Sequence, residues 1–294
     1  MSLDNFVYLV KAEENDISDG LHRLFTKLNL PQQPKTIGIK INLCDYRRRE
    51  TGVTTDPLIL EPLLKLLRMH YPTTPMFVFE NDATGTLADN LFQWLGLDKV
   101  VKKYEVDFIN LVREEWIPAC IDGYCFQEIE IPRILTESLI INHPKLKTHG
   151  RTKMTCALKN MYACYRIKDK VKYHSFLDKA IVDVNIPIKS HFTIVDGFLC
   201  VEGNRGPTQG YPKKVGVFIG GRDIVSVDAF CAKLMGFHPK FVKHIRLAAR
   251  KKIGSMKYQL DSELSLREIR KISFQFNLGK YYLMEILRKM VKTT

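Results

Sequence analysis

Ser138-Leu139-Ile140-Ile141-Asn142-His143-Pro144-Lys145-Leu146-Lys147-Thr148-His149-Gly150-Arg151-Thr152-Lys153-Met154-Thr155-Cys156-Ala157-Leu158-Lys159-Asn160 is the stretch from which the fold is read. Its first five residues form a short apolar run of the kind that fills a buried strand. Pro144 and Gly150 punctuate the polar residues that follow. From Thr152 the spacing turns helical: Met154, Leu158, Met161 and Tyr165 make an apolar stripe, while Thr152, Thr155 and Lys159 share another side. The segment therefore predicts a strand, a polar loop and a helix over 152–165. Between positions 145 and 172 stand nine Lys or Arg against one acid, Asp169, so this loop is expected to meet something negative. A solvated basic surface is the plainer reading of such a run.

Working outward, short β-rich runs alternate with longer periodic ones. Strands are expected at 36–43, 76–80, 107–111, 126–131, 138–142, 192–195 and 215–219. Helices are expected at 57–69, 87–95, 98–104, 152–165, 225–235 and 239–251. The helix at 57 carries its own start signal, with Thr55 or Asp56 as cap and Pro57 at the first position. Alternation of this kind predicts an α/β fold, a mixed or mostly parallel sheet with helices on both faces. After Gly254 the pattern changes to two short basic amphipathic helices, 265–271 and 281–292. The organisation expected is an α/β domain over 1–254 and a basic helical extension over 255–294.

A chain of 294 residues with 45% hydrophobic content has ample material for a sizeable core. Its 45 basic and 32 acidic residues give +13, which attracts polyanions, acidic small molecules or an anionic surface without choosing among them. The seven cysteines, Cys44, Cys120, Cys125, Cys156, Cys164, Cys200 and Cys231, include no Cys-x-x-Cys pair. That spacing argues against a zinc ribbon, a thioredoxin-like redox site and an iron–sulfur cluster, and fits reduced thiols. The first residues lack the basic flank and apolar core of a signal peptide, and no apolar run approaches the roughly 18 residues of a membrane span. A cytoplasmic protein is expected.

In open α/β sheets ligands collect outside the carboxyl ends of the strands. Lys40 and Asn42 end one expected strand, and Glu80, Asn81 and Asp82 end the next. Lys145, Lys147 and His149 follow a third, while Asp196 ends a fourth and precedes Glu202. A shared crevice is expected, in which Lys145, Lys147, His149, Lys159 and Asp196 do chemistry and Lys40, Asn42, Thr55, Thr155, Asn160 and Glu202 hold substrate. The lysines would grip a carboxylate, phosphate or sulfate beside a helix N-terminus near Thr152, and His149 would move protons. Asp196 and Glu202 would orient the lysines or, with Glu80 and Asp82, supply oxygen ligands for a divalent metal. Clustered lysines can themselves react, because repulsion and burial depress their pKa. Against this stand plainer readings: Asp82 and Asp196 as turn residues, Lys159 as a snorkelling side chain, Asn160 as the cap of a bend, Asp223 and Asp228 as helix-flanking caps. No Walker A spacing is present.

The motifs Ile39-Lys40-Ile41-Asn42-Leu43, Thr55-Asp56-Pro57, Pro144-Lys145-Leu146-Lys147-Thr148-His149, Ala157-Leu158-Lys159-Asn160, Val195-Asp196-Gly197, Glu202-Gly203-x-x-Gly206-Pro207 and Asp223-Ile224-Val225-Ser226-Val227-Asp228-Ala229, in this order, resemble the DUF362 family. The resemblance covers about residues 36–250 and implies membership of a group without an assigned reaction. Many members look like fusions to a ferredoxin-type domain; this chain lacks such cysteine spacing, so the redox role does not carry over. The residues leave three readings: an enzyme acting on a small anion, a nucleic-acid or polyanion binder without a recognisable binding motif, and a protein whose C-terminal helices dock an acidic partner or membrane. They define neither the reaction nor the metal.

Overall fold

The computed structural model describes residues 5–83, 85–166, 173 and 175–283. Its main sheet has ten strands among these residues. At its centre β2 (Ile37–Lys40), β3 (Met76–Glu80), β4 (Asp107–Asn110), β7 (Leu139–Asn142) and β10 (Phe192–Glu202) run parallel in the order β10-β7-β2-β3-β4. Beyond β10 the sheet continues through antiparallel β11 (Tyr211–Gly221) to β1 (Phe6–Lys11) and then β12 (Gln259–Ser262), which lies parallel to β1. The hairpin of β5 (Trp116–Cys120) and β6 (Glu128–Pro132) forms a separate two-stranded sheet.

Side-chain alternation sends neighbouring strand residues into two different cores. Val78, Ile141 and Ile194 pack with α1 (Ile17–Leu28), α2 (Pro57–His70), α3 (Ala88–Trp94) and α4 (Leu97–Lys103). Phe79, Ile140 and Val195 pack with α6 (Ala157–Met161), α7 (Leu177–Val184), α8 (Ile224–Leu234) and α9 (Lys243–Arg250). The mixed, mostly parallel sheet with helices on both faces is thus the architecture. α2 begins as its sequence dictates: Pro57 occupies the first turn and the Asp56 carboxylate accepts the Leu58 N–H at 2.9 Å.

Several elements depart from the sequence reading. Residues 145–149, expected as loop, form β8 (Lys145–His149), paired with both β10 and β9 (Lys153–Thr155). The helix expected from Thr152 begins only at Ala157, because Lys153–Thr155 is taken by the β8 ladder. β1 and α1 were not expected, and β10 and β11 each run to 11 residues, well past the expected ends. After Gly254, α10 (Leu266–Lys271) opens with a capping box between Ser265 and Glu268, within the expected first helix. That part of the chain also supplies a strand, β12, and buries Phe274 and Tyr281, so it is packed on the main body. Of the expected second helix, 281–283 are helical and 284–292 lie outside the described residues.

Candidate functional site

The carboxyl ends of β2, β3 and β7 bring Lys40, Glu80 and Asn142 to one edge of the sheet, beside Asp196 in the first half of β10. At His143-Pro144 the chain leaves β7, and β8 resumes alongside the second half of β10; the Asp196 N–H donates to the Pro144 carbonyl at 2.9 Å. Because side chains alternate along β8, Lys145 and Lys147 share a face. Both are 1% exposed, and Lys40 is fully buried.

Three buried ammonium groups need partners, since an uncompensated charge in the interior costs several kcal/mol. Lys40 Nζ donates to Glu80 Oε1 at 2.5 Å and to the Ile41 carbonyl at 2.7 Å. Lys145 Nζ pairs with Asp196 Oδ2 at 2.8 Å. Lys147 Nζ donates to Asn42 Oδ1 at 2.6 Å and to the Val53 carbonyl at 2.7 Å, and no carboxylate reaches it among the described residues. The cluster thus holds three cations against two carboxylates. Burial pushes the Lys147 pKa below the usual lysine range; Cys44 and Glu80 oppose this, and repulsion from Lys145 and Lys40 adds to it.

The Asn42 amide begins a directed chain. Asn42 Nδ2 donates to Asn160 Oδ1 at 3.1 Å, Asn160 Nδ2 to Asn142 Oδ1 at 2.8 Å, and Asn142 Nδ2 to the Ala157 carbonyl at 3.0 Å. Lys147, β2, β7 and α6 are thereby tied together. Thr55 fixes the near end, its Oγ1 accepting the Asn42 N–H at 2.8 Å and its N–H donating to the Asn42 carbonyl at 2.9 Å. The connection 41–56 folds over Lys147 and lies directly on β10. Gly52 makes that approach, with φ of 70° and a position where a Cβ would stand 2.7 Å from the Cys200 carbonyl oxygen. Thr155 is buried directly opposite Lys147 in the β8–β9 ladder, and its hydroxyl has no hydrogen-bond partner among the described residues.

Other expected site residues stand elsewhere. The helix N-terminus expected near Thr152 does not exist: the Thr152 hydroxyl bonds the Met154 carbonyl, and the first N–H groups of α6, from Ala157 and Leu158, are taken by the Asp228 carboxylate at 2.7 and 3.1 Å. His149 Nδ1 accepts from Arg151 and Thr152 N–H, both at 3.2 Å, and so caps its own turn. Glu202 lies six positions beyond Asp196 on β10, about 20 Å of extended chain, where it pairs with Lys213 at 3.1 Å and accepts the Gln275 N–H. Lys159 is half-buried on α6 beside Asn160. Asp82 accepts from Ala88 N–H and Asn110 Nδ2. Among the described residues no group of three or more His, Cys, Asp or Glu is placed to hold a metal.

Three buried groups escaped the sequence reading of the site. Asn142 could have been found, since it ends a strand beside Lys40. Asp228, expected at the flank of its own helix, lies inside α8 and caps α6 instead; nothing local announces this. His143 is buried with Nδ1 2.8 Å from the Ile194 carbonyl, which places the proton on Nδ1 and leaves Nε2 without a partner among the described residues. Burial holds its pKa below the ordinary histidine value, so the ring is neutral.

A family described as a domain of unknown function, DUF362, matches residues 37–233, from β2 into α8, and includes every member of the lysine and asparagine network. The Thylakoid-associated protein sll1697 of Synechocystis sp. is 29% identical over 141 residues, 45% of this chain and 43% of that protein. The chain thus matches less than half the length of that relative. No solved structure matches the chain. No helix among the described residues is long and apolar enough to cross a membrane.

Proposed function

This chain belongs to the DUF362 family, and we propose that it is an enzyme whose substrate is a small molecule bearing a carboxylate, phosphate or sulfate, admitted at the carboxyl ends of β2, β7 and β8. The observation that carries the reading is the charge imbalance around Lys147. A buried cluster with one ammonium too many is relieved in two ways: Lys147 gives up its proton, or an anion enters. Both suit catalysis. A neutral Lys147 carries a lone pair that serves as base or nucleophile, and a bound anion would restore the proton. The unpartnered Thr155 hydroxyl opposite Lys147 supports the same point of entry. Entry requires the connection 41–56 to move, and the exposed Arg47 and Arg48 on it would draw anions to the mouth. Lys145, held by Asp196, and Lys40, held by Glu80, supply the fixed positive field.

The proposal includes a cytoplasmic location, and recovery of the protein in a washed membrane fraction would contradict it. For the site itself, sulfate, phosphate and malonate are titrated while the melting temperature is followed. At least one should raise it at millimolar concentration, and Lys147→Met should abolish the rise while keeping the native circular dichroism spectrum. The high net positive charge supports a second reading, a polyanion binder. Retention of single-stranded RNA with a steep salt dependence, and no response to small anions, would replace the first reading by the second.

A further inference from the structure

We propose a second ligand site, for a small organic anion with an apolar body, at the opposite, amino-terminal edge of the sheet. A cavity of about 870 Å³ opens there, within the roughly 300–1,000 Å³ of small-molecule sites. Leu139 and Phe192, the first residues of β7 and β10, form its floor, and Arg222 enters from the end of β11. The C-terminal end of α1, the segment after α7 and the end of α9 enclose it, and Leu30, Ile186, Ile188 and Ile253 give it an apolar part.

Its charge is one-sided. Lys189, Arg222 and Lys252 line the cavity, and among the described residues no carboxylate pairs with any of them. Lys251 is spent on Asp122 at 2.8 Å. The one carboxylate in the wall, Asp223, is consumed by backbone: it accepts from Val225, Ser226 and Ser255 N–H at 2.7–3.0 Å. Arg222 is held in place by the Asn29 carbonyl at 2.6 Å and by the Phe192 ring, 4.9 Å away.

A fixed neutral donor stands beside these cations. His191 Nδ1 accepts the Ile140 N–H at 3.0 Å, which puts the ring proton on Nε2 and makes that nitrogen a donor. Burial first, and Lys189 second, lower the His191 pKa, so this tautomer persists at neutral pH. Cations without counter-ions and a donor N–H, set beside aliphatic side chains, match a carboxylate or phosphate head with an apolar remainder.

The full chain is titrated with octanoate, hexyl phosphate, acetate and inorganic phosphate, following melting temperature and heat of binding. Octanoate or hexyl phosphate should bind at millimolar concentration or below, and which of them does identifies the head group; any binding of acetate or inorganic phosphate belongs to the Lys147 site and should be unchanged by substitutions in this cavity. His191→Asn keeps an acceptor for Ile140 and removes the Nε2 donor. Lys189→Glu with Lys252→Glu changes two exposed residues and spares the core. Each should weaken binding by at least about tenfold. Failure of both amphiphiles to bind, or amphiphile binding by either variant as tight as by the unaltered chain, would overturn the proposal.

Discussion

Replacing Lys147 by Met tests the unbalanced charge through its pH dependence. Folding strips Lys147 of water and lowers its pKa from 10.5, so between the folded value and 10.5 the unfolded chain binds more protons than the native one. Stability owed to this residue therefore rises with pH across that window and is lowest below it, at about 1.4 kcal/mol per pH unit. Met cannot titrate. It also leaves Asn42 Oδ1 and the Val53 carbonyl without their donor, a loss of about 1–3 kcal/mol each, set against the relief of an unneutralised buried cation. Those contributions shift the variant by a constant, whereas the slope belongs to the proton alone. Urea unfolding of both proteins at a series of pH values from neutral to 10.5 gives the stability difference directly. It should grow in favour of the unaltered chain towards alkaline pH. A difference that stays flat up to 10.5 would refute the claim that Lys147 is held below its ordinary pKa.

Asn160→Leu keeps the branched shape but leaves Asn42 Nδ2 without an acceptor and Asn142 Oδ1 without a donor, so it should cost about 2–5 kcal/mol, read from the urea midpoint at unchanged slope. A cost under about 1 kcal/mol would mean that the asparagine chain is replaced by water. Truncation after Gly254 removes β12 from β1 and uncovers a sheet edge, so the shortened protein should associate in light scattering; a monodisperse product of full stability would count against this. A brief iodoacetamide pulse on the native protein should label exposed Cys120 and spare Cys125, whose thiol burial pushes up to about 11. Cys156 and Cys200, buried and also pushed upward, should react only on unfolding, as peptide mass spectra would show.

The helical starts and the parallel strands were legible because their signals are local. Asp56-Pro57 caps and opens α2, and Met-Phe-Val-Phe-Glu at 76–80 is apolar enough to be buried on both faces. β8 was illegible for the converse reason: Lys145 and Lys147 look like loop residues, and only distant partners, Asp196 and Asn42, make their burial tolerable. The same ladder absorbed Lys153–Thr155, which helical spacing had assigned to α6. In the site, strand ends mark Lys40, Asn42 and Asp196, and the same rule extends to Asn142. Glu202 lies away from them because β10 continues past Asp196 and carries it along. α1 carries an equally local signal, with Ile17, Leu21, Leu24 and Leu28 at helical spacing.

The geometry of β8 restricts how this protein can change length. Lys145 and Lys147 reach their partners because they sit an even number of positions apart on an extended strand. One residue inserted or deleted between Pro144 and Lys147 would reverse the facing of everything downstream of it within β8. Lys147 would turn away from Asn42, and Leu146 after an insertion, or the short Thr148 after a deletion, would arrive in its place. Changes of two residues would preserve the facing and merely slide the pair along β10. Length variation at this strand is therefore confined to even steps, while the connection 41–56, held by the contacts of a few residues, has no such parity to obey.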